Sequence, residues 1–263
     1  MGAVSSPARP DVGGRHGGLT LGAAVAVGFT VWGVLIGLRP LGDNSFLTHL
    51  ATGRLIVEHA SVPRTDPFSF TAPDHAWVVQ SWLATTVYGL LDRFGGGGAL
   101  VAFHAALIGL LAWLATRLVR PARSLVTRVL VLGVAVAIGS GMWVERPLLL
   151  GLVVLALTLL VVEGEVSPRW LLPLFWVWTN AHGSFPLGLV ALAVVAVGRR
   201  LDGERPDREL TALRWAAAGV ALAVINPLGP RLLLFPLQLL TRGDILSHVV
   251  EWQAPRFTGV VRW

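Results

Sequence analysis

Residues 99–142 read ALVAFHAALIGLLAWLATRLVRPARSLVTRVLVLGVAVAIGSGM, and the fold class turns on this stretch. Two apolar runs, 99–118 and 125–142, flank a short connection around which Arg117, Arg120, Arg123 and Arg128 gather. Each run approaches the roughly 20 apolar residues that cross the hydrocarbon core of a bilayer. The arginines mark the connection as cytoplasmic, because basic residues are enriched on that side of a membrane. The stretch therefore predicts a helical hairpin in a membrane, turned on the inside.

Further apolar runs lie outward from it at 19–38, 147–163, 185–198 and 211–225, with a shorter one at 170–180. The shorter run ends in Thr179-Asn180-Ala181-His182-Gly183-Ser184, a set of polar groups that belongs at a membrane face rather than in lipid. Composition agrees: 54% of the 263 residues are hydrophobic and 14% charged, against about 25% charged in a soluble domain. Mean hydropathy is +0.68. The net charge of +6 comes from 21 basic residues, all Arg, clustered at the ends of apolar runs. There they set orientation and hold headgroups, so no nucleic-acid partner is expected. The absence of cysteine excludes disulfides, thiolate nucleophiles and thiolate metal ligands. Residues 1–18 are polar and carry Arg9 and Arg15, and no small-residue cleavage site follows the first apolar run. A cytoplasmic tail over 1–18 and an uncleaved first span are expected.

Segment 76–92 is apolar but short, contains Gln80, and ends at Asp92-Arg93 before four glycines. A second Arg-rich connection holds Arg199, Arg200, Arg205, Arg208 and Arg214. Both basic connections fall inside only if 76–92 lies on the outer surface. The alternation then runs tail in, 39–98 out, 117–128 in, 142–147 out, 163–169 in, 180–186 out, 199–214 in and 226–263 out. The expected fold is an all-α polytopic membrane bundle of about seven transmembrane helices, forming one module over 19–263. Its long external first loop, 39–98, carries two interfacial helices. One covers 46–58, with Phe46, Leu50, Leu55 and Ile56 largely along one side; the other covers 77–92, with Trp77, Trp82 and Tyr88 at headgroup level. Pro63, Pro67 and Pro73 break the chain between them.

This topology gathers the polar side chains on the external face. The first loop supplies Asp43, His49, Arg54, Asp66 and Asp74, and the second Glu145 and Arg146. The third supplies Asn180 and His182, and the last Asn226, Glu251 and Trp252. The span interiors hold little that ionises beyond His104. Transporters and pumps usually place acids or histidines partway across the membrane, so the distribution favours chemistry at the outer interface. Each residue also has a structural reading. Asp43 reads equally as a solvated loop acid, Asp66 as a turn former, Glu145 and Arg146 as an ion pair, and Asn180 and His182 as caps. No compact ligand spacing for a metal is present.

Two strings in the first loop, GDNSFLTHLATGRLI over 42–56 and VPRTDPFSFT over 62–71, resemble the opening of bacterial membrane proteins of the GT-C glycosyltransferase superfamily. Further motifs follow in order across residues 20–255: Trp77…Ser81-Trp82-Leu83, Glu145-Arg146-Pro147, Trp178-x-Asn180-x-His182-Gly183 and Asn226-Pro227-x-Gly229. The resemblance implies an enzyme of the bacterial inner membrane. It would transfer a sugar from a polyprenyl-phosphate donor in the outer leaflet to a glycan, lipid or protein acceptor. It casts Asp43 and Asp66 as catalytic acids. It places His49, Arg54, Arg146, Asn180 and His182 around the substrate, the first three and His182 near phosphate. Glu145 stands where relatives with a divalent metal place a second-loop acid, so Asp43 and Glu145 are the candidate ligands for Mg or Mn. Three positions depart from the pattern: Ser45 replaces a second acid, and Leu47 and Thr48 replace large aromatics. Relatives also continue with further spans. A non-catalytic scaffold, or a truncated copy serving as a subunit of an envelope-assembly complex, is the competing expectation.

Overall fold

A computed structural model describes residues 20–71 and 75–241. The 1–18 tail with Arg9 and Arg15, and Asp74, Glu251 and Trp252, lie outside the described residues. The described chain is all-helical, its nearest approach to a sheet being one isolated bridge between Thr65 and Ala76. Nine α-helices follow in order: α1 Leu21–Gly37, α2 Asn44–His59, α3 Trp82–Leu118, α4 Leu125–Gly139, α5 Leu148–Val162, α6 Leu171–Ala181, α7 Pro186–Leu201, α8 Asp207–Leu222 and α9 Arg231–Leu240.

Local chemistry sets the boundaries. Thr20 caps α1 by accepting a hydrogen bond from the Ala23 N–H, and Asp43 caps α2 by accepting one from the Phe46 N–H at 3.0 Å. The helix expected over 77–92 begins at Trp82. Residues 75–77 are held extended, because the Asp66 N–H donates to the His75 carbonyl and the Trp77 N–H to the Arg64 carbonyl. The four-glycine run then does what its composition allows. Gly96 takes φ 59 and ψ −157, a backbone region open essentially only to glycine. α3 is thus two straight segments, 82–95 and 97–118, meeting at a kink.

Close backbone approach through small residues assembles the first half. α1 lies on the second segment of α3, where a Cβ on Gly37 would fall 2.4 Å from the Ala105 Cα. α2 lies on the first segment, where a Cβ on Gly53 would fall 2.1 Å from the Thr85 carbonyl oxygen. Such small-residue faces are how helices pack where no hydrophobic effect separates them from lipid. The apolar side of α2 is consequently covered by α3. Phe46, Leu50 and Ile56 are buried, and the Phe46 and Tyr88 rings meet edge to face at 5.3 Å.

The second half is built on α6, whose Leu171, Phe175 and Trp178 are fully buried among α5, α7 and α8. Leu114 of α3 packs with Val153, Ala156 and Leu160 of α5 and joins the two halves. α4 stands at the periphery with Val126, Leu130, Val134 and Ile138 exposed. By length and composition, two helices can cross a membrane, Trp82–Leu118 and Leu125–Met142; Leu21–Gly37 and Leu148–Val162 are shorter apolar helices. At 1.5 Å per residue, the 11 residues of α6 extend about 16 Å, well short of a 30 Å hydrocarbon core.

Candidate functional site

Arg146 sits in the turn before Pro147 and α5, more than a hundred residues after Asp43, yet the two side chains meet. Arg146 Nε lies 3.1 and 3.0 Å from the two Asp43 carboxylate oxygens, and Nη2 lies 2.9 Å from Oδ2. The carboxylate therefore has three kinds of donor: the Arg146 fork, the Phe46 N–H at the start of α2, and the Ser45 N–H. Burial works against ionisation of Asp43. The Arg146 hydrogen bonds and charge, with those backbone donors, outweigh it and hold the carboxyl below its ordinary range.

Two histidines complete the group. His49, on α2 after the cap, feels the charges of both Asp43 and Arg146. Its Nδ1 stands 3.4 Å from the Thr85 hydroxyl, whose own proton goes to the Ser81 carbonyl. Burial pushes the His49 pKa down to about 4, with Asp43 opposing and Arg146 reinforcing the shift. His182, in the turn between α6 and α7, is likewise pushed down to about 4 by burial and then by the neighbouring His49. Its ring is oriented by a relay. Trp178 Nε1–H donates to Ser184 Oγ at 3.1 Å, and that hydroxyl, 2.8 Å from His182 Nδ1, donates to it alongside the Ser184 N–H. With Nδ1 accepting, the proton of the neutral ring sits on Nε2. Asp43, His49, Arg146 and His182 thus form one electrostatically connected group drawn from three separate turns and α2.

The other sequence candidates go elsewhere. Glu145 turns away from its neighbour Arg146 and is buried, its Oε1 3.7 Å from Arg39 Nε and 4.0 Å from His104 Nδ1. Around it, His104 bridges the Gly37 and Trp143 carbonyls, and Arg39 Nη2 donates to the Trp143 carbonyl at 2.9 Å. This clasp ties the end of α1 and the 142–147 turn to α3. Arg54 makes a two-point pair with Asp92 at 2.7 and 3.1 Å on an exposed flank. Asp66 closes its own turn, accepting from the Phe68 and Ser69 N–H groups and from the Ser69 hydroxyl; the Ser69 hydroxyl and then the backbone donors lower its pKa. Asn180 is buried. It accepts from Trp82 Nε1 at 2.8 Å and donates to the Trp176 carbonyl, pinning the start of α3 to the end of α6.

A divalent ion shared by Asp43 and Glu145 does not fit this arrangement. Asp43 is occupied by Arg146, Glu145 points at His104 and Arg39, and the described residues contain no group of three or more His, Asp or Glu able to hold a metal. Sequence reasoning assigned no role to Thr85, Trp178 or Ser184, which orient the two histidines. Trp178, which stands in the quoted motif with His182, and Ser184, two residues after His182 in a polar turn, offered a signal; Thr85 did not.

An apolar groove of about 430 Å³ runs between α2 and the first segment of α3, past Ile56, Val62, Trp82, Thr86, Leu90 and Arg93 to Pro227, and none of Asp43, His49, Arg146 or His182 lines it. Arg64 donates to the Pro227 carbonyl at 3.3 Å. Arg64 also lines the adjoining cleft of about 290 Å³ with Trp77, Leu228 and Arg231. No protein-family model, curated protein or solved structure matches this chain.

Proposed function

We propose that the chain is an inner-membrane glycosyltransferase that moves a sugar from a polyprenyl-phosphate donor to an acceptor on the external face, with Asp43 and Arg146 at its centre. The observation that carries the reading is the convergence of Asp43, His49, Arg146 and His182 from sequence-distant segments. The ordered motifs resembling the GT-C superfamily support it, as does the groove ending at a cleft with two arginines. In this reading α1, the second segment of α3, and α4 to α8 form a seven-helix membrane bundle, with α6 enclosed by its neighbours and the N-terminus inside.

The ion pair is the resting form. A donor phosphate competes for the Arg146 fork, which suits phosphate as well as carboxylate, and the exchange releases Asp43. The acceptor hydroxyl then attacks the anomeric carbon on the face opposite the phosphate. Its proton passes to Asp43, and the carbon–oxygen bond to phosphate breaks with the electron pair leaving on the lipid phosphate. Arg146 balances that charge, and His182 donates to it from Nε2. General-base assistance of this kind is worth about 10²–10⁴ in rate. Asp66, closed on its own turn, holds the loop in shape.

The test is in vitro transfer from a mixture of polyprenyl-phosphate sugars, comparing wild type with Asp43→Asn and Asp66→Asn at equal membrane insertion. Loss in Asp43→Asn alone supports the assignment. Inactivity of the wild type refutes the enzyme and favours the competing reading, a non-catalytic subunit of envelope assembly. For that reading, the full engagement of Asp43 by Arg146 and the replacement of a second acid by Ser45 are the supporting observations.

A further inference from the structure

We infer that the groove between α7 and α8 binds an anionic phospholipid of the cytoplasmic leaflet, one acyl chain lying in the groove and the phosphate on Arg214. The inference rests on the membrane placement proposed above, and it concerns the opposite side of the molecule from the Asp43–Arg146 group.

The groove is open and shallow, about 580 Å³ in volume, lined by Leu189 and Ala193 of α7 and Leu213 and Ala217 of α8, with Arg214 the charged group among its lining residues. Arg214 stands seven residues into α8 from Asp207, about 10 Å along the axis from its cytoplasmic end. It is exposed, beside the part-exposed Trp215, and makes no ion pair or hydrogen bond among the described residues. Two nearby arginines are committed elsewhere, and Arg200 and Arg205 do not line the groove. Arg199 pairs with Glu204 at 2.8 Å and with the buried Glu209 at 2.5 Å, and Arg208 donates to the Val161 carbonyl at 2.7 Å. The basic character of this connection is thus partly structural, and Arg214 is the arginine placed against the groove.

A cation on an apolar, lipid-facing wall is costly unless it reaches a counter-charge. An arginine does so by laying its methylene stem along apolar surface and lifting the guanidinium toward the interface. There the planar fork takes a phosphate, and basic pockets between helices on the cytoplasmic side are where anionic headgroups bind. The flanking stripe of Val190, Val194 and Val197, all exposed, continues the apolar wall. A second copy of the chain is a poorer occupant: the groove's lining holds no acid to meet the copy's Arg214, the exposed acid of α8, Asp207, standing two turns away at the helix end. An uncharged lipid fills the groove but leaves the guanidinium without a partner.

The test is native mass spectrometry of the full chain in detergent, titrated with phosphatidylglycerol, phosphatidylcholine or inorganic phosphate, after carbonate washing has shown the chain to be membrane-embedded. Wild type is expected to retain phosphatidylglycerol about five-fold over phosphatidylcholine, the contribution of one arginine at an anionic lipid surface. Arg214→Gln is expected to abolish the preference while keeping residual binding of either lipid, and Ala193→Phe, which fills the groove, to lower retention of both. Equal retention of the two lipids by wild type overturns the proposal, as does a preference surviving in Arg214→Gln. Displacement of lipid by inorganic phosphate, or a dimer that Ala193→Phe dissolves, also overturns it. These outcomes refute the groove alone, since external sugar transfer is not measured; a chain released by carbonate refutes the membrane placement itself.

Discussion

Gly89→Ala tests the packing on which the site depends. A Cβ on Gly89 would stand 2.2 Å from the Gly53 carbonyl oxygen, 2.4 Å from its carbon and 3.0 Å from the Arg54 nitrogen. All three are backbone atoms, so no side-chain rotation relieves the clash. Restoring ordinary contact at 3.4 Å requires α2 and the first segment of α3 to separate by about 1 Å. Overpacking costs roughly 1–3 kcal/mol. A rigid backbone wall puts this case at the upper end, while alanine's better helix propensity returns about 1 kcal/mol. A net loss of about 2 kcal/mol corresponds to a fall of about 4–8 °C in thermal midpoint for a chain of this size. Because α2 carries His49 and is capped by Asp43, the same shift opens the 3.4 Å contact between His49 and Thr85. Thermal unfolding in detergent measures the loss, with Gly133→Ala as control, since nothing lies within 4 Å of a Cβ there. A Gly89→Ala midpoint equal to that of Gly133→Ala would refute the described α2–α3 approach.

Two further outcomes follow from the geometry. His49 and His182 are held at about 4 against an ordinary 6.5, so the unfolded chain binds more protons between those values. Their contribution is whole above pH 6.5 and is lost as pH falls toward 4. Thermal midpoints should drop across that window, the drop shrinking in a His49→Gln, His182→Gln double variant; an unchanged slope contradicts the buried, neutral assignment. At the kink, a Cβ on Gly96 or on Gly97 meets nothing within 4 Å, but only Gly96 has a positive φ. Gly96→Ala should cost about 1–3 kcal/mol from backbone strain alone, and Gly97→Ala nothing; equal thermal midpoints for the two variants would show that α3 does not bend there.

How much of this was legible in the sequence varies with the range of the interaction. That a helix lies near 46–58 was readable because apolar periodicity is a local signal, though its true start at Asn44 under the Asp43 cap was not read, and the four glycines announced a break before the long apolar run. That α2 turns its apolar side onto α3 was not readable, because it depends on Gly53 meeting Gly89 across 36 positions, and neither glycine stands out alone. That Asp43, His49, Arg146 and His182 share a face could be read from topology and motif order, but only with eight other residues beside them. The opposite orientations of Glu145 and Arg146 could not, because adjacent residues in a turn point where packing permits. The choice was made by His104 and Arg39, residues far from the motif. Arg54 and Asp66 carry strong motif signals, yet their partners, Asp92 and Ser69, are structural.

The most direct test of the central claim is a double-mutant cycle on sugar transfer with Asp43→Asn, Arg146→Gln and the combined variant, each at matched membrane insertion. If the two side chains act as one unit, each single change lowers transfer by about 10²-fold or more, and the double variant is no slower than the worse single one. Losses that multiply independently, or transfer that survives all three changes, would contradict the assignment of Asp43 and Arg146 as the centre of the site.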